Sequence, residues 1–209
     1  MMTVLPLFSS PVFHNTYELN TSEVELIKNE TFKPNTHLDG YVSDDKDILS
    51  KYPNLSNIAH KHIQHSLYNQ DCFSIVSDIK YKVLSSWVNK HPPKHSAHRH
   101  THKNCMFTGV LYVDIPENSG RLIFDVPMSV PTWTTGTIEP RVSNYTLYNS
   151  KGWYLPCKTG MCVLFPSHLQ HHVTENESNH DRYTIAFNIV LEGNMNSENM
   201  QPLNVNINV

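Results

Sequence analysis

His98-Arg99-His100-Thr101-His102 runs almost directly into Met106-Phe107-Thr108-Gly109-Val110-Leu111-Tyr112-Val113. The second segment is apolar and β-prone, which predicts a strand with histidines at its mouth. In an extended chain residues i and i+2 share a face, so two of the three imidazoles can converge on one ion. A second cluster, Ser167-His168-Leu169-Gln170-His171-His172-Val173, lies far along the chain and offers a third ligand. Taken alone, the run suits any borderline metal that accepts neutral imidazole.

The rest of the composition frames that site. The chain has 209 residues, 39% of them hydrophobic and 17% charged, which suits one domain with a sizeable core. A net charge of -3 with neutral histidines gives no basic face, so neither nucleic acid nor an anionic membrane surface is an expected partner. The fourteen histidines are the outlier, and their bunching exceeds what a solvated face requires. Cys72, Cys105, Cys157 and Cys162 form no Cys-x-x-Cys pair and read as reduced thiols of a cytoplasmic protein. Met1 to Phe8 lacks the basic start and long apolar run of a signal peptide.

Periodicity divides the chain into helices first and strands afterwards. Leu5 to Phe13, with Pro6 and Pro11, reads as an edge strand or extended arm. Ser22-Glu23-Val24-Glu25 reads as a capping box opening a short helix to Glu30, and residues 31–50 read as loop. Leu55 to Tyr68 has helical spacing, with His60, His62 and His65 on its polar side. Phe73–Ile79 and Tyr81–Asn89 read as strands, Lys90 to His95 as a loop, and Arg121 to Asp125 as the strand returning from the Pro116–Gly120 turn. Residues 126–158, rich in proline and aromatics, read as a long insertion containing a ragged hairpin, of the kind that forms lids. Met161–Phe165 and Tyr183–Leu191 are further strands, before a polar tail. Helices followed by many short strands predict a mainly β (α+β) fold, a jelly roll or barrel with the N-terminal helices packed on one face.

The order of the blocks carries a resemblance. A His-x-His pair before one strand, a distal histidine and a downstream arginine on the last strand resemble the iron(II)- and 2-oxoglutarate-dependent oxygenases. Their core is a double-stranded β-helix (cupin-like) of the prolyl-hydroxylase-like superfamily. The match is closer to a 2-oxoglutarate/iron(II) oxygenase subfamily of phages and bacteria. It is carried by Leu5–Val12, Ser86-Trp87-Val88-Asn89, His100–Val113, Leu164-Phe165-Pro166-Ser167-His168-Leu169-Gln170-His171 and Arg182–Asn188. The whole chain, 1–209, then reads as one oxygenase domain: arm and helices over 1–70, jelly-roll core over 71–191 with the 126–158 insertion, and a tail over 192–209.

The resemblance implies an enzyme that uses Fe(II), the cosubstrate 2-oxoglutarate and O2, and no catalytic residue beyond the metal centre. It assigns the metal to His100, His102 and His171, with His98-Arg99-His100 as an alternative register of the same spacing. It assigns the C5 carboxylate of 2-oxoglutarate to Arg182, with Thr184, Tyr112 and Asn104 as further cosubstrate contacts and Asn89 as an orienting candidate. His95, His168 and His172 are expected near the site or facing solvent, and Trp133 and Trp153 as core or substrate contacts. One departure stands out: the wider superfamily has a carboxylate where this chain has His102, and the nearest carboxylates, Asp114 and Asp125, sit at strand ends. The expected reaction is hydroxylation or a related oxidation of an unidentified small molecule or protein side chain. The expected setting is cytoplasmic (a host cytoplasm if phage-encoded), with a homodimer as the plausible assembly. Two other readings use the same residues: a three-histidine cupin-type dioxygenase that needs no 2-oxo acid, and a non-enzymatic jelly-roll binding or virion-associated protein.

Overall fold

The structure, a computed structural model, describes residues 9–126, 141–195, 201 and 203–208. Its elements in order are β1 (Phe13–Thr16), α1 (Thr21–Lys28), β2 (Phe32–Pro34), β3 (Tyr41–Ser43), α2 (Ile48–Lys51), α3 (Pro53–Tyr68), β4 (Lys80–His91), β5 (Ala97–His100), β6 (Phe107–Asp114), β7 (Leu122–Asp125), β8 (Gly152–Leu155), β9 (Met161–Pro166), β10 (His171–Val173), β11 (Arg182–Asn194) and β12 (Asn204–Val205). The large sheet runs β1-β9-β6-β11-β4-β3-β2, with β12 on β11, and a smaller one runs β5-β10-β7-β8. These strands all pair antiparallel. Together the two sheets make the double-stranded β-helix.

Strict alternation sorts the side chains of the large sheet into two layers. On β11, Tyr183, Ile185, Phe187 and Ile189 join Leu111, Leu164 and the α3 residues Leu55, Ala59, Ile63 and Leu67 in the core under the helices. The intervening Arg182, Thr184 and Ala186, with Val110 and Tyr112 of β6, face the space between the sheets. Gly109 sits opposite Phe187 in the β6–β11 register. A Cβ there would run into the Phe187 ring, so glycine is what lets the ring lie flat across the strand.

Helix α3 begins without a side-chain cap of its own. Glu23 of α1 supplies one from a distance, accepting from the Asn54 and Leu55 backbone N–H groups at 3.0 and 2.9 Å and from Asn54 Nδ2 at 2.7 Å. A carboxylate at a helix N-terminus also meets the positive end of the dipole, so the two helices are locked together electrostatically.

Several expectations change in three dimensions. The cap of α1 is Asn20, whose Oδ1 accepts from Glu23 N, and not Ser22. Residues 31–50 hold β2, β3 and part of α2 where a loop was expected. Phe73–Ile79 is not a strand: Ser74 has φ 52°, and Ile75 N donates back to Leu67 O at 2.8 Å. Phe73, Ile75 and Ile79 pack on the core instead, Phe73 against Phe13 and Phe107 with ring centroids 4.9 and 5.1 Å away. Strand β4 continues through Lys90 and His91. Leu122–Asp125 does not fold back on β6 but crosses to the smaller sheet, pairing with β10 and β8. Strand β8 lies within the 126–158 insertion and pairs with β7, and residues 127–140 of the insertion, with Trp133, lie outside the described residues. Of the arm or strand expected over Leu5–Phe13, residues 1–8 lie outside the described residues, Ser9 to Val12 are not in a strand, and β1 begins only at Phe13 and runs on to Thr16. His62 is not solvated: it is 3% exposed, under Tyr17, whose hydroxyl lies 3.1 Å from its Nδ1.

Candidate metal centre

Two strands of the smaller sheet bring the histidines together. His100 ends β5 and His171 begins β10, and the register pairs them directly. His102 lies just past β5, where its backbone N–H donates to Ser167 O at 3.0 Å and ties the two histidine segments together. One donor nitrogen from each of His100, His102 and His171 lies within 4.8 Å of the other two. Ring centroids are 4.3 Å apart for His100–His171 and 5.2 Å for each of the other pairs.

The hydrogen bonds set the tautomers. His100 Nδ1 lies 2.7 Å from His98 O and His171 Nδ1 lies 2.8 Å from Leu169 O. A carbonyl only accepts, so Nδ1 carries the hydrogen in both rings and Nε2 keeps its lone pair for a metal. The His102 ring has no such carbonyl among the described residues; the Asn188 side chain is near it, its Oδ1 accepting from Thr108 Oγ1 at 3.2 Å. Burial, followed by the nearby imidazoles, pushes His171 down to about 3 and His102 to about 4, and burial lowers His100. All three are therefore neutral near pH 7, the form that ligates. Three neutral imidazoles with lone pairs turned to one place fit an iron(II) ion, with open positions left for other ligands.

The same cavity extends to Arg182, which is 2% exposed. Its guanidinium stands over the Tyr112 ring at 5.4 Å, and among the described residues it has no carboxylate partner. Arg182 Nε is buried without a hydrogen-bond partner there, and the buried Tyr112 hydroxyl has the Cys157 thiol for a neighbour. A buried, charged donor left unpartnered in a cavity calls for an anion. Thr184 follows Arg182 on the same face of β11, opposite Tyr112 on one side and Asn89 on the other. Asn89 lines the cavity and accepts from Trp87 Nε1 at 3.1 Å.

Other sequence candidates lie elsewhere. His98 is exposed, as is His168. Asn104 is exposed with φ 60°, a turn position, and is not among the residues that line the cavity. Asp114 pairs with Lys28 at 2.7 Å. Asp125 holds Arg99 at 2.8 Å and His172 at 2.9 Å on the outer side of the smaller sheet. His95 pairs with Asp39 at 2.7 Å. Trp153 is half-exposed, opposite Phe124 in the β7–β8 register. Sequence reading passed over two residues: His91, which follows Asn89 on the cavity face by strand alternation, and Asn188, which stands at a β-bulge.

Comparison with known proteins bears on the same strands. Residues 85–188 match the family described as "Putative 2OG-Fe(II) oxygenase". Among curated proteins none matches. Similar solved structures include the non-heme alpha-ketoglutarate-dependent carbocyclase SnoK of nogalamycin biosynthesis, at 14% identity and TM-score 0.58 over 88% of this chain and 81% of that one. A prolyl-4-hydroxylase from Pseudomonas putida matches at 13% identity and TM-score 0.53 over 88% and 94%. HygX from Streptomyces hygroscopicus, solved with nickel and 2-oxoglutarate, matches at 10% identity and TM-score 0.55 over 87% and 83%. At such identities the structures speak for the fold, and the family match speaks for the chemistry. This chain belongs to the 2-oxoglutarate- and iron(II)-dependent oxygenases, oxidoreductases that draw on Fe(II), 2-oxoglutarate and O2.

Proposed function

We propose that His100, His102 and His171 hold the iron(II), that Arg182 with Tyr112 and Thr184 binds the C5 carboxylate of 2-oxoglutarate, and that the enzyme hydroxylates an unactivated C–H bond of a small molecule or a protein side chain. The observation that carries this reading is the buried Arg182 guanidinium, its Nε unpartnered and its face over the Tyr112 ring, in the cavity lined by the three histidines. A buried guanidinium without an acid is costly, and a dicarboxylate supplies the missing charge and a planar, two-pronged acceptor. A three-histidine dioxygenase that takes its substrate directly at the metal has no use for such an arginine.

When bound, the iron supplies the redox chemistry that couples decarboxylation of the 2-oxo acid to oxidation of the second substrate. The chain's own part is positional. Arg182 and Thr184 fix one end of the cosubstrate, and the carbonyls of His98 and Leu169 hold two imidazoles in ligating form. Apolar walls from Leu38, Ala97, Val110, Leu122 and Val173 keep water away from the reacting groups. The cysteines Cys72, Cys105, Cys157 and Cys162 are free, which supports a cytoplasmic setting, and no helix among the described residues is long and apolar enough to cross a membrane.

Anaerobic addition of Fe(II) and 2-oxoglutarate tests the reading. A weak visible charge-transfer band is expected, with succinate formed once O2 and a competent substrate are supplied. No band, and no succinate with any substrate tried, rules it out.

A further inference from the structure

We infer that His91 is a positioning residue for the cosubstrate clamp: its ring accepts a hydrogen bond from one nitrogen of Arg182 and so turns the opposite edge of the guanidinium toward the incoming carboxylate. The inference rests on the proposed role of Arg182.

His91 and Arg182 are direct cross-strand partners, at the end of β4 and the start of β11. His91 is 5% exposed and lines the same cavity. Arg182 Nη1 lies 3.5 Å from His91 Nδ1, at the long end of a hydrogen bond. A guanidinium only donates, so His91 must present a lone pair at Nδ1 and carry its hydrogen on Nε2. Burial, and next the charge of Arg182, push His91 down to about 3, so it keeps that lone pair across the physiological range. With Nη1 engaged, the Nε–H remains unpartnered among the described residues. A guanidinium held at one nitrogen offers its remaining edge in a fixed plane, which is what a two-pronged grip on a carboxylate requires.

The ring is itself held from behind. Gly40, at φ 71°, lies so close that a Cβ there would fall 2.7 Å from His91 Cδ2 and 2.9 Å from Lys90 O. The turn carrying Gly40 is anchored by Asp39, whose carboxylate takes the Ser96 N–H at 3.0 Å and lies 2.7 Å from His95 Nδ1. That turn also places Asn35 and Leu38 in the cavity wall. The N-terminal hairpin therefore supports the clamp through His91.

The test exploits the two ring nitrogens. Asparagine places an amide oxygen near the position of Nδ1, and glutamine places one near Nε2. For anaerobic Fe(II)-loaded protein, calorimetric titration with 2-oxoglutarate is compared among wild type, His91→Asn, His91→Gln and His91→Phe, with Fe(II) affinity measured alongside. His91→Phe and His91→Gln are expected to weaken 2-oxoglutarate binding about tenfold, the size of one lost hydrogen bond to a charged group. His91→Asn should stay within about threefold of wild type, and Fe(II) affinity should not change in any of them. Should His91→Phe fail to fold, the Asn–Gln contrast still decides. Equal affinities for Asn and Gln, wild-type affinity in Gln, or a matching loss of Fe(II) overturn the inference. If Arg182→Leu binds 2-oxoglutarate as wild type does, or wild type does not bind it, the clamp reading fails first and the inference falls with it.

Discussion

His100 and His171 face each other as a cross-strand pair in the smaller sheet, ring centroids 4.3 Å apart, with both Nδ1 atoms committed to backbone carbonyls. Two ligands of the proposed centre are thus set by strand register and not by loop conformation. His171→Ala and His100→Ala should each lower Fe(II) affinity by at least about 100-fold, since losing a ligand costs more than losing the group that orients one. Competition with a colourimetric chelator measures this. Retained stoichiometric iron in either variant would remove that histidine from the site.

His102 stands where the resemblance puts a carboxylate, and among the described residues its ring lacks the backbone-carbonyl bond that fixes His100 and His171. A carboxylate would add a negative charge beside the ion. His102→Asp is therefore expected to bind Fe(II) more tightly than His102→Ala, by roughly tenfold or more. Equal affinities in the two would show that position 102 does not ligate.

Arg182 trades stability for binding. Its buried charge has no acid partner among the described residues, so Arg182→Leu should leave the ligand-free protein as stable or about 1–4 kcal/mol more stable. The same change should abolish the rise in melting temperature that 2-oxoglutarate gives the wild-type, iron-loaded protein. Thermal melts with and without cosubstrate read both effects. A strongly destabilised Arg182→Leu would point instead to a structural ion pair.

Gly109 gives way to the Phe187 ring, which crosses the strand where a side chain would stand. Gly109→Ala should cost about 1–3 kcal/mol through overpacking, seen as a lower urea midpoint with an unchanged slope. Gly109→Ala with Phe187→Leu should lose less than the two single costs added, because the collision is shared.

Acid should unfold the iron-free protein early. Burial holds His62 down to about 4, so between pH 6.5 and about 4 the unfolded chain takes up a proton that the folded one refuses. Stability contributed by neutral His62 is full above pH 6.5 and falls, by about 3 kcal/mol in all, as the pH drops through that window. The cavity histidines add to the slope with the same sign. Urea melts at pH 7 and pH 5 should show the loss, and His62→Phe should reduce it by about one proton's worth.

Much of this protein was legible in one dimension because local rules sufficed. Apolar, β-prone runs marked β6, β9 and β11, 3.6-residue spacing marked α3, and a His-x-His beside a strand marked the candidate site. Reading failed where distant groups overrule local preference. Phe73 and Ile75 look like strand residues but are drawn into the core by Phe13, Phe107 and the end of α3. The cap of α3 comes from Glu23, some thirty residues earlier. Leu122–Asp125 leaves its expected partner because the Pro116–Gly120 turn leads to the other sheet.

By itself, then, the sequence determined the residue types at the centre and the order in which the chain delivers them. Imidazoles, a guanidinium and period-two strands are chemical facts of the polymer. Tertiary structure alone decided which of fourteen histidines share a cavity, that His91 stands against Arg182, and that Asn104 and Asp125 face away. The physical reason is register: a shift of one residue in a strand reverses every side chain on it, and only pairing against a distant strand sets that register.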